Sequence, residues 1–510
     1  MRVSILDLGS NSFRLLVADV AADGAIHPVL RAREFIHLGS EVAATGSLAD
    51  DVIERAVGAV GHLAGLGLRA GAERSMAVAT SAIRDASNST EVVARLQEVA
   101  GIPVRVIDGQ EEARLGFLGV ASSIALPEGA HLVLDLGGGS LELAVGSGTE
   151  LLWAESTDLG VSRLWAEYVT GDPLNDRAIA GLQKRVRSTL QPLVAQVRRL
   201  DPQWCVSIGG PSRALIQMAL RTAATWQPAT LNQAWVTAAG LTALRDQLVS
   251  MPLEERRAMP GMKSSRVEQI PTASVIVSTM LDLLEIDRTV VSYWGLREGA
   301  ILDTYGDAAL AFGRQLRPAA VSRMERRFSP HSVHNTHVGG LAASLFDQLA
   351  DVHQLDPAAA DLLAAAAQLH TIGMGVGFRG YHRHGAYLIE NSELRGFGPS
   401  EIAVLASVVR FHRRGIVGSD YPPFETLDAE QQLWVRGLAA ILALADAADR
   451  GLDQAVEGID LTVSNGEVVA SFRGVDPELR QDWVESAEAA FRQVFDVGLS
   501  LEGVRVIDSF

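Results

Sequence analysis

Cysteine is almost absent from this chain. One residue, Cys205, in 510 excludes an internal disulfide and any cysteine-built metal cluster. Long apolar runs are missing as well. No stretch reaches the roughly 18 residues of a membrane span, and the Ala-rich segment 362–369 is far too short. Basic charge is in deficit: 44 Lys and Arg stand against 61 Asp and Glu, a net charge of −17. That excludes a general nucleic-acid surface, which wants a basic face. A polyanionic partner would have to be met by a local basic groove. The N-terminus enters a strand by Val3, leaving no room for a signal peptide, so a cytoplasmic protein is expected. The length allows about three or four domains.

What is present is organised around residues 132–143. An apolar run leads into Asp135, three glycines follow (Gly137, Gly138, Gly139), then Ser140, and an alternating strand restarts at Leu141. This spells strand, tight turn, strand. Glycines in such a turn let backbone N–H groups approach an anion closely, because no Cβ intervenes. Glu142 returns near Asp135, and two carboxylates beside a phosphate cradle suggest a hard cation such as Mg²⁺. A second version opens the chain: Asp7-Leu8-Gly9-Ser10-Asn11-Ser12 between two apolar runs. One glycine hairpin is an ordinary turn. A matched pair predicts two similar lobes, each offering a phosphate loop to a shared cleft.

Between the two lie further signals. Helical periodicity runs over 48–66, and a buried strand over 75–80 ends at Ser81, a candidate helix cap. A strand ending at Ile107 turns into a helix that opens on Glu111 and Glu112. Acids in a first turn suit the helix dipole, which explains them without function; the helix nevertheless runs straight into the central hairpin. Gly209-Gly210-Pro211-Ser212-Arg213 follows a strand and is a weaker anion signal. A helix is expected over 264–284. Arg314, Arg317, Arg323, Arg326 and Arg327 either line a path for a polyanion or coat an amphipathic helix. From His331 the chain turns helical and histidine-rich. Beyond it, an Asn465-Gly466 hairpin, a helix over 476–494 and a strand over 501–507 suggest a small α/β tail.

Taken together, DLGSNSFRLLV at 7–17, ATSAIRDA at 79–86, GQEEARLGFLGV at 109–120, LDLGGGSLEL at 134–143 and GLREGAI at 295–301 resemble the exopolyphosphatase / guanosine pentaphosphate phosphatase family of the actin–Hsp70–sugar kinase superfamily. HRHGAYLIENSELRGF at 382–397 and VVRFHRR at 408–414 resemble its long form. The resemblance implies two ribonuclease H-like, actin-like α/β lobes over 1–122 and 123–308. An all-α HD-like domain over 309–455 and a small α/β domain over 456–510 would follow. It implies Glu112 as catalytic glutamate and Asp135 and Glu142 as metal-site acids. Phosphate-binding positions would be Ser10, Asn11, Ser12, Arg84, Gly137, Gly138, Gly139, Ser140, Gly209, Gly210 and Arg266. It also implies a homodimer. In the HD-like part His334, His370 and Asp446 are candidate ligand positions, but the expected His-Asp pair reads His370-Thr371. A metal-independent, structural or substrate-guiding role is therefore expected there rather than a second phosphohydrolase site. Two further departures, Gly210-Pro211-Ser212 and Ala273, fall in the phosphate-loop region.

Hydrolysis of a terminal phosphoanhydride needs a placed water, a base and neutralisation of the phosphoryl oxygens. Glu112 would orient and deprotonate the water, with its pKa raised by Asp135, Glu142 and the substrate. Mg²⁺ or Mn²⁺ would sit on Asp135 and Glu142. The expected activity is removal of terminal phosphates from inorganic polyphosphate. The alternatives are removal of the 5′ γ-phosphate of guanosine pentaphosphate, a kinase or ATPase of the same superfamily, and a non-catalytic nucleotide-binding regulator.

Overall fold

In the computed structural model the described residues are 1–21, 25–125, 128–223, 226–227, 229–305, 316–329, 331–413, 420–464, 467–474, 488 and 491–501. The chain forms two compact units. One comprises Met1–Ala223 with Asn232–Leu316, the other Ala224–Leu231 with Arg317–Phe510. No helix among the described residues is long and apolar enough to cross a membrane.

The first unit contains two sheets. Strands β1 (Arg2–Leu8), β2 (Ser12–Val20), β3 (Ile26–Phe35), β4 (Arg74–Ala79) and β5 (Val104–Val106) build one, in the order β3-β2-β1-β4-β5. Strands β6 (Ala130–Leu136), β7 (Leu141–Ser147), β8 (Glu150–Thr157), β9 (Trp204–Ile208), β10 (Trp235–Thr237) and β11 (Arg288–Val291) build the other, in the order β10-β11-β9-β6-β7-β8. In each, an antiparallel three-strand meander is extended by parallel strands on the far side of its first strand. The second sheet repeats the first and adds antiparallel β10 at its edge. These are the two similar lobes that the paired hairpins predict, in the ribonuclease H-like form that the family resemblance implies.

The burial patterns explain why these segments form these strands. β1 is buried at every position from Val3 to Leu8, as a strand covered on both faces must be. β3 alternates and is largely exposed, with Pro28, Arg31 and Arg33 on an edge strand where proline and charge blunt further pairing. The helix Gly109–Ala121 spans both cores. Its Leu115 packs with Val3, Ile5 and Leu16 of the first sheet, while Ala113, Phe117 and Val120 pack with Val133, Ala144 and Val206 of the second. It crosses the helix Leu296–Tyr305 through two glycines. A Cβ on Gly119 would meet the Gly295 carbonyl at 2.3 Å, and one on Gly299 would meet the Leu115 carbonyl at 1.9 Å. Backbone-to-backbone contact of this kind fixes the helix, and with it Glu112, tightly.

The second unit is helical. Its long helices are Leu316–Phe328 (beginning on the last residue of the first unit), Ser332–Gln348, Ala359–Leu369, Tyr381–Glu390, Pro399–Phe411 and Ala429–Ala448. A small sheet of β12 (Gly458–Ser464), β13 (Glu467–Arg473) and β14 (Gly498–Leu501) joins the same apolar core through Ile459, Val468 and Leu499. β12 and β13 pair antiparallel as an Asn-Gly hairpin requires. The turn residues 465–466, most of the expected helix over 476–494 and nearly all of the expected strand over 501–507 lie outside the described residues, as does Arg314. Arg317 is engaged within its own unit. Its guanidinium donates to the Gly396 carbonyl at 2.9 Å and to Glu401 at 2.6 Å and lies over Phe397.

Candidate active site

The β1–β2 and β6–β7 hairpins face one cleft of about 1080 Å³. Adding 128 to Asp7 gives Asp135, and the same offset carries Gly9-Ser10-Asn11-Ser12 onto Gly137-Gly138-Gly139-Ser140. Each turn is held from behind in the same way. In the first lobe the Asn11 carbonyl accepts from the N–H groups of Ile36 and His37, both at 3.1 Å, and the Ser10 carbonyl accepts from Gly39 at 2.8 Å. In the second, the Gly137 and Gly138 carbonyls accept from Val161 at 3.1 Å and Ser162 at 2.9 Å. Arg163 adds a third clamp, donating to the Gly139 carbonyl at 3.1 Å and to Asp85 at 3.0 Å. The turns therefore point their carbonyls away from the cleft, where an oxyanion would be repelled.

Gly139 is the most tightly enclosed of the turn glycines. A Cβ on Gly139 would stand 2.3 Å from Ser81 Oγ and 2.6 Å from Ser10 Oγ. Those two hydroxyls are themselves hydrogen-bonded at 2.7 Å. Ser81 is thus not the helix cap the sequence suggested: Thr80 occupies the cap position, and Ser81 bonds to Ser10 of the first loop.

Every predicted site residue except Arg84 lines this cleft: Ser10, Asn11, Ser12, Glu112, Asp135, Gly137, Gly138, Gly139, Ser140, Glu142, Gly209, Gly210 and Arg266. Arg84 stands one layer back. Its guanidinium donates to Glu112 Oε2 at 3.3 Å and to the Ile107 carbonyl at 2.9 Å. The two glutamates opening the helix separate cleanly. Glu111 is a helix-start residue, capped by Asp108 and paired with Arg105 and Arg114. Glu112 is buried in the cleft wall, 9% exposed.

The acids are held in unfavourable surroundings. Burial, then Glu142 and Asp135, keep the Glu112 carboxyl well above the usual glutamate range, with Arg84 pulling the other way. Burial pushes Asp135 up to about 6 despite Arg213 and Arg14. Burial, then Asp135, pushes Glu142 up to about 8, although it accepts a hydrogen bond from Ser156 at 2.8 Å. The arginines are disturbed in the opposite sense. Burial, with Arg14, Arg213 and Arg33 nearby, lowers Arg266 to about 9, and burial lowers Arg213 to about 10. Buried acids and buried guanidinium groups thus share one cavity. A phosphate paired with a cation would satisfy both.

Sequence reasoning missed four participants. Asp7 is buried in the cleft, 6% exposed, and its carboxyl is raised by burial. Arg14 lies opposite it across the hairpin, at the register position that Glu142 occupies opposite Asp135. Arg213 donates to the carbonyls of Gly209 and Tyr293, both at 2.9 Å, which aims its charge along the cleft. Glu298, 1% exposed, has Arg31 and Arg297 each at 3.9 Å. The 128-residue offset would have found Asp7 and Arg14. Arg213 closes the 209–213 anion signal and Glu298 falls within the 295–301 motif, but neither stretch says which of its residues enters the cleft.

Gly210 offers a direct test of Arg266. A Cβ there would stand 2.0 Å from the guanidinium, the movable end of a flexible side chain. Gly210→Ala is expected to fold normally, displace Arg266 and raise KM for a phosphorylated substrate roughly tenfold, the scale of one charged hydrogen bond. Steady-state kinetics with a thermal melt as control measures it.

With this geometry in place, comparison with known proteins is direct. The profile of the Ppx/GppA phosphatase family matches residues 16–307, and that of Ppx/GppA phosphatase domain III matches 316–471. Among solved structures, an exopolyphosphatase from Cytophaga hutchinsonii is similar at 26% identity with a TM-score of 0.56, covering 60% of this chain and 97% of that one. The Ppx/GppA family member from Aquifex aeolicus is similar at 29% identity with a TM-score of 0.52, again covering 60% of this chain and 97% of that one. Twin hairpins, a shared cleft with buried acids and a match over more than half the length lead to one conclusion: the chain belongs to the Ppx/GppA phosphatase family.

Proposed function

We propose that this protein removes terminal phosphates from inorganic polyphosphate, with Glu112 as general base. As a member of its family the chain is a hydrolase acting on phosphoanhydride bonds. The observation that supports a polymeric substrate is a second hollow, of about 970 Å³, that shares Arg14, Gly210, Arg213, Arg266, Tyr293 and Arg297 with the catalytic cleft. Six arginines and Lys263 line it, while its uncharged lining is Ala32, Gly210, Ala214, Gln217 and Tyr293. Cations in such number suit a chain of phosphates. A nucleobase would instead want apolar or aromatic faces on both sides, and Tyr293 is the only ring in the lining.

In this reading the terminal phosphate rests between the two glycine turns and the rest of the substrate runs along the arginines. Glu112, positioned by Arg84, takes a proton from the attacking water as its oxygen bonds to phosphorus. The bridging oxygen leaves with the shortened chain. The donor set also fits a hard divalent cation. Asp135 and Glu142 lie directly opposite each other in the β6–β7 ladder, and the buried Asn11 Oδ1 has no hydrogen-bond partner. Asp135 and Glu142 would hold Mg²⁺ or Mn²⁺, which when bound supplies charge neutralisation at the phosphoryl oxygens.

The deciding measurement compares phosphate release from long-chain polyphosphate and from guanosine pentaphosphate at equal phosphate-end concentration. Faster release from the nucleotide would overturn the polymer assignment. Within it, Arg33→Ala combined with Lys263→Ala should raise KM for long chains by about tenfold, yet leave tripolyphosphate nearly unchanged. Loss of remote charge contacts weakens only a substrate long enough to reach them.

A further inference from the structure

The helical unit holds a buried cluster that the chemistry above does not use. His334 on the helix Ser332–Gln348, His370 at the end of the helix Ala359–Leu369 and Asp446 on the helix Ala429–Ala448 converge. His334 Nε2 is 3.2 Å from His370 Nε2 and 3.4 Å from Asp446 Oδ1, and His370 Nε2 is 3.3 Å from the same oxygen. Among the described residues this is the one trio of metal-capable side chains whose ligand atoms all lie within 4.8 Å of one another, and all three are buried.

Proton accounting makes the cluster unusual. His370 Nδ1 is 2.6 Å from the Ala367 carbonyl, which can only accept, so Nδ1 carries the hydrogen. His334 Nδ1 is 2.8 Å from the Asp449 carboxylate and likewise donates. In the neutral rings both Nε2 atoms then present lone pairs, to each other and to Asp446. With both rings neutral, three acceptors face one point, and either a proton on one ring or a bound cation must lie between them. One shared proton bridges two such atoms, whereas a cation serves three. The spacing suits a cation as well. Metal–ligand bonds of about 2.0–2.2 Å in a tetrahedron put neighbouring ligands roughly 3.4 Å apart.

We infer that His334, His370 and Asp446 bind a borderline divalent transition cation, with Zn²⁺ the first candidate. Two imidazoles and one carboxylate favour such an ion over Mg²⁺. Asp449 orients His334 from behind and is itself fixed by the Gln454 N–H at 2.7 Å, the carboxylate–histidine arrangement typical of metal ligands. A fourth chain ligand is missing for a visible reason. Thr371, beside His370, donates its hydroxyl to Asn335 Oδ1 at 2.7 Å instead. The remaining position belongs to a water. His412 stands ready to accept from it: its Nδ1 is 2.7 Å from the Val409 carbonyl, its ring is edge-on to His370, and its buried Nε2 has no partner. The ion ties three helices together, where the sequence alone predicted a metal-independent domain.

The full-length protein, dialysed against chelator, is titrated with Co²⁺ and followed by visible absorption. Stoichiometric d–d bands of a four-coordinate ion, displaced by Zn²⁺ and not by excess Mg²⁺, are expected. The bands should disappear in His370→Gln. They should need about 10–100-fold more Co²⁺ in Asp449→Asn and persist in Asp135→Asn, which separates this site from the phosphatase cleft. The wild-type titration needs no variant to fold. A featureless wild-type spectrum, or bands that survive His370→Gln, would overturn the assignment and leave a shared proton in the ion's place.

Discussion

Replacing Glu112 with glutamine is expected to lower kcat for phosphate release on the order of 10³-fold while leaving KM nearly unchanged. A general base contributes typically about 10²–10⁴-fold, and the amide keeps the shape and hydrogen-bonding reach of the side chain. The glycine turns, Arg213 and Arg266 remain to hold the substrate, so binding should survive. The pH profile adds a second readout. Glu112 must be ionised to accept a proton, and its carboxyl is held well above the ordinary range by burial and by Glu142 and Asp135. In the wild type kcat/KM should therefore rise with pH, with a midpoint above that of a free glutamate. The residual activity of Glu112→Gln should have lost that limb. A variant turning over at the wild-type rate would remove Glu112 from the chemistry.

Glu142→Gln carries the opposite signature in stability. Its folded-state carboxyl titrates at about 8 against an ordinary 4.5. The folded chain therefore binds this proton more tightly than the unfolded chain. The group contributes stability at low pH, and the contribution is lost as pH rises from about 4.5 through about 8. Glutamine does not titrate and still accepts from Ser156. At pH 8 the metal-free variant should accordingly be more stable than the wild type by a few kcal/mol, on the order of 1.4 per pKa unit. Its activity should fall at least about 100-fold. Denaturant melts at pH 5 and pH 8 decide it. The expected gap opens only at the higher pH, and added divalent cation should narrow it by restoring the wild type. Equal stabilities at pH 8 would mean that Glu142 is not under charge strain.

Several of these parts were legible before the fold was known. The two hairpins declare themselves because a glycine turn between apolar runs is a local signal, and duplication makes it specific. Glu112 and Glu111 look alike as residues, and it is the family resemblance that singles out Glu112 in the sequence. Both open the same helix, and burial in the cleft separates them in the structure. Arginines were the weakest point. Arg213 and Arg14 look in the sequence like any solvated residue. Their importance arises from strand register and from the carbonyls that aim them, while Arg84, a phosphate-binding position by resemblance, also donates to Glu112. The helix expected over 264–284 breaks, because Arg266 ends a short 3₁₀ turn and Pro271 fits the first turn of a new helix at Ile270. Strand β10 and the helix Ala238–Ser250 went unread, being short or weakly patterned.

The register difference between the twin hairpins has a directional consequence. In one, Asp7 lies across from Arg14, an acid facing a base; in the other, Asp135 lies across from Glu142, two acids whose carboxyls burial holds above their ordinary ranges. A duplicated scaffold with near-twofold geometry thus acquires a voltage drop from one wall to the other. The wall holding Asp135 and Glu142 thereby suits a cation, and the wall holding Arg14 suits an anion. Exchanging the residues at 14 and 142 would reverse the gradient without altering the architecture.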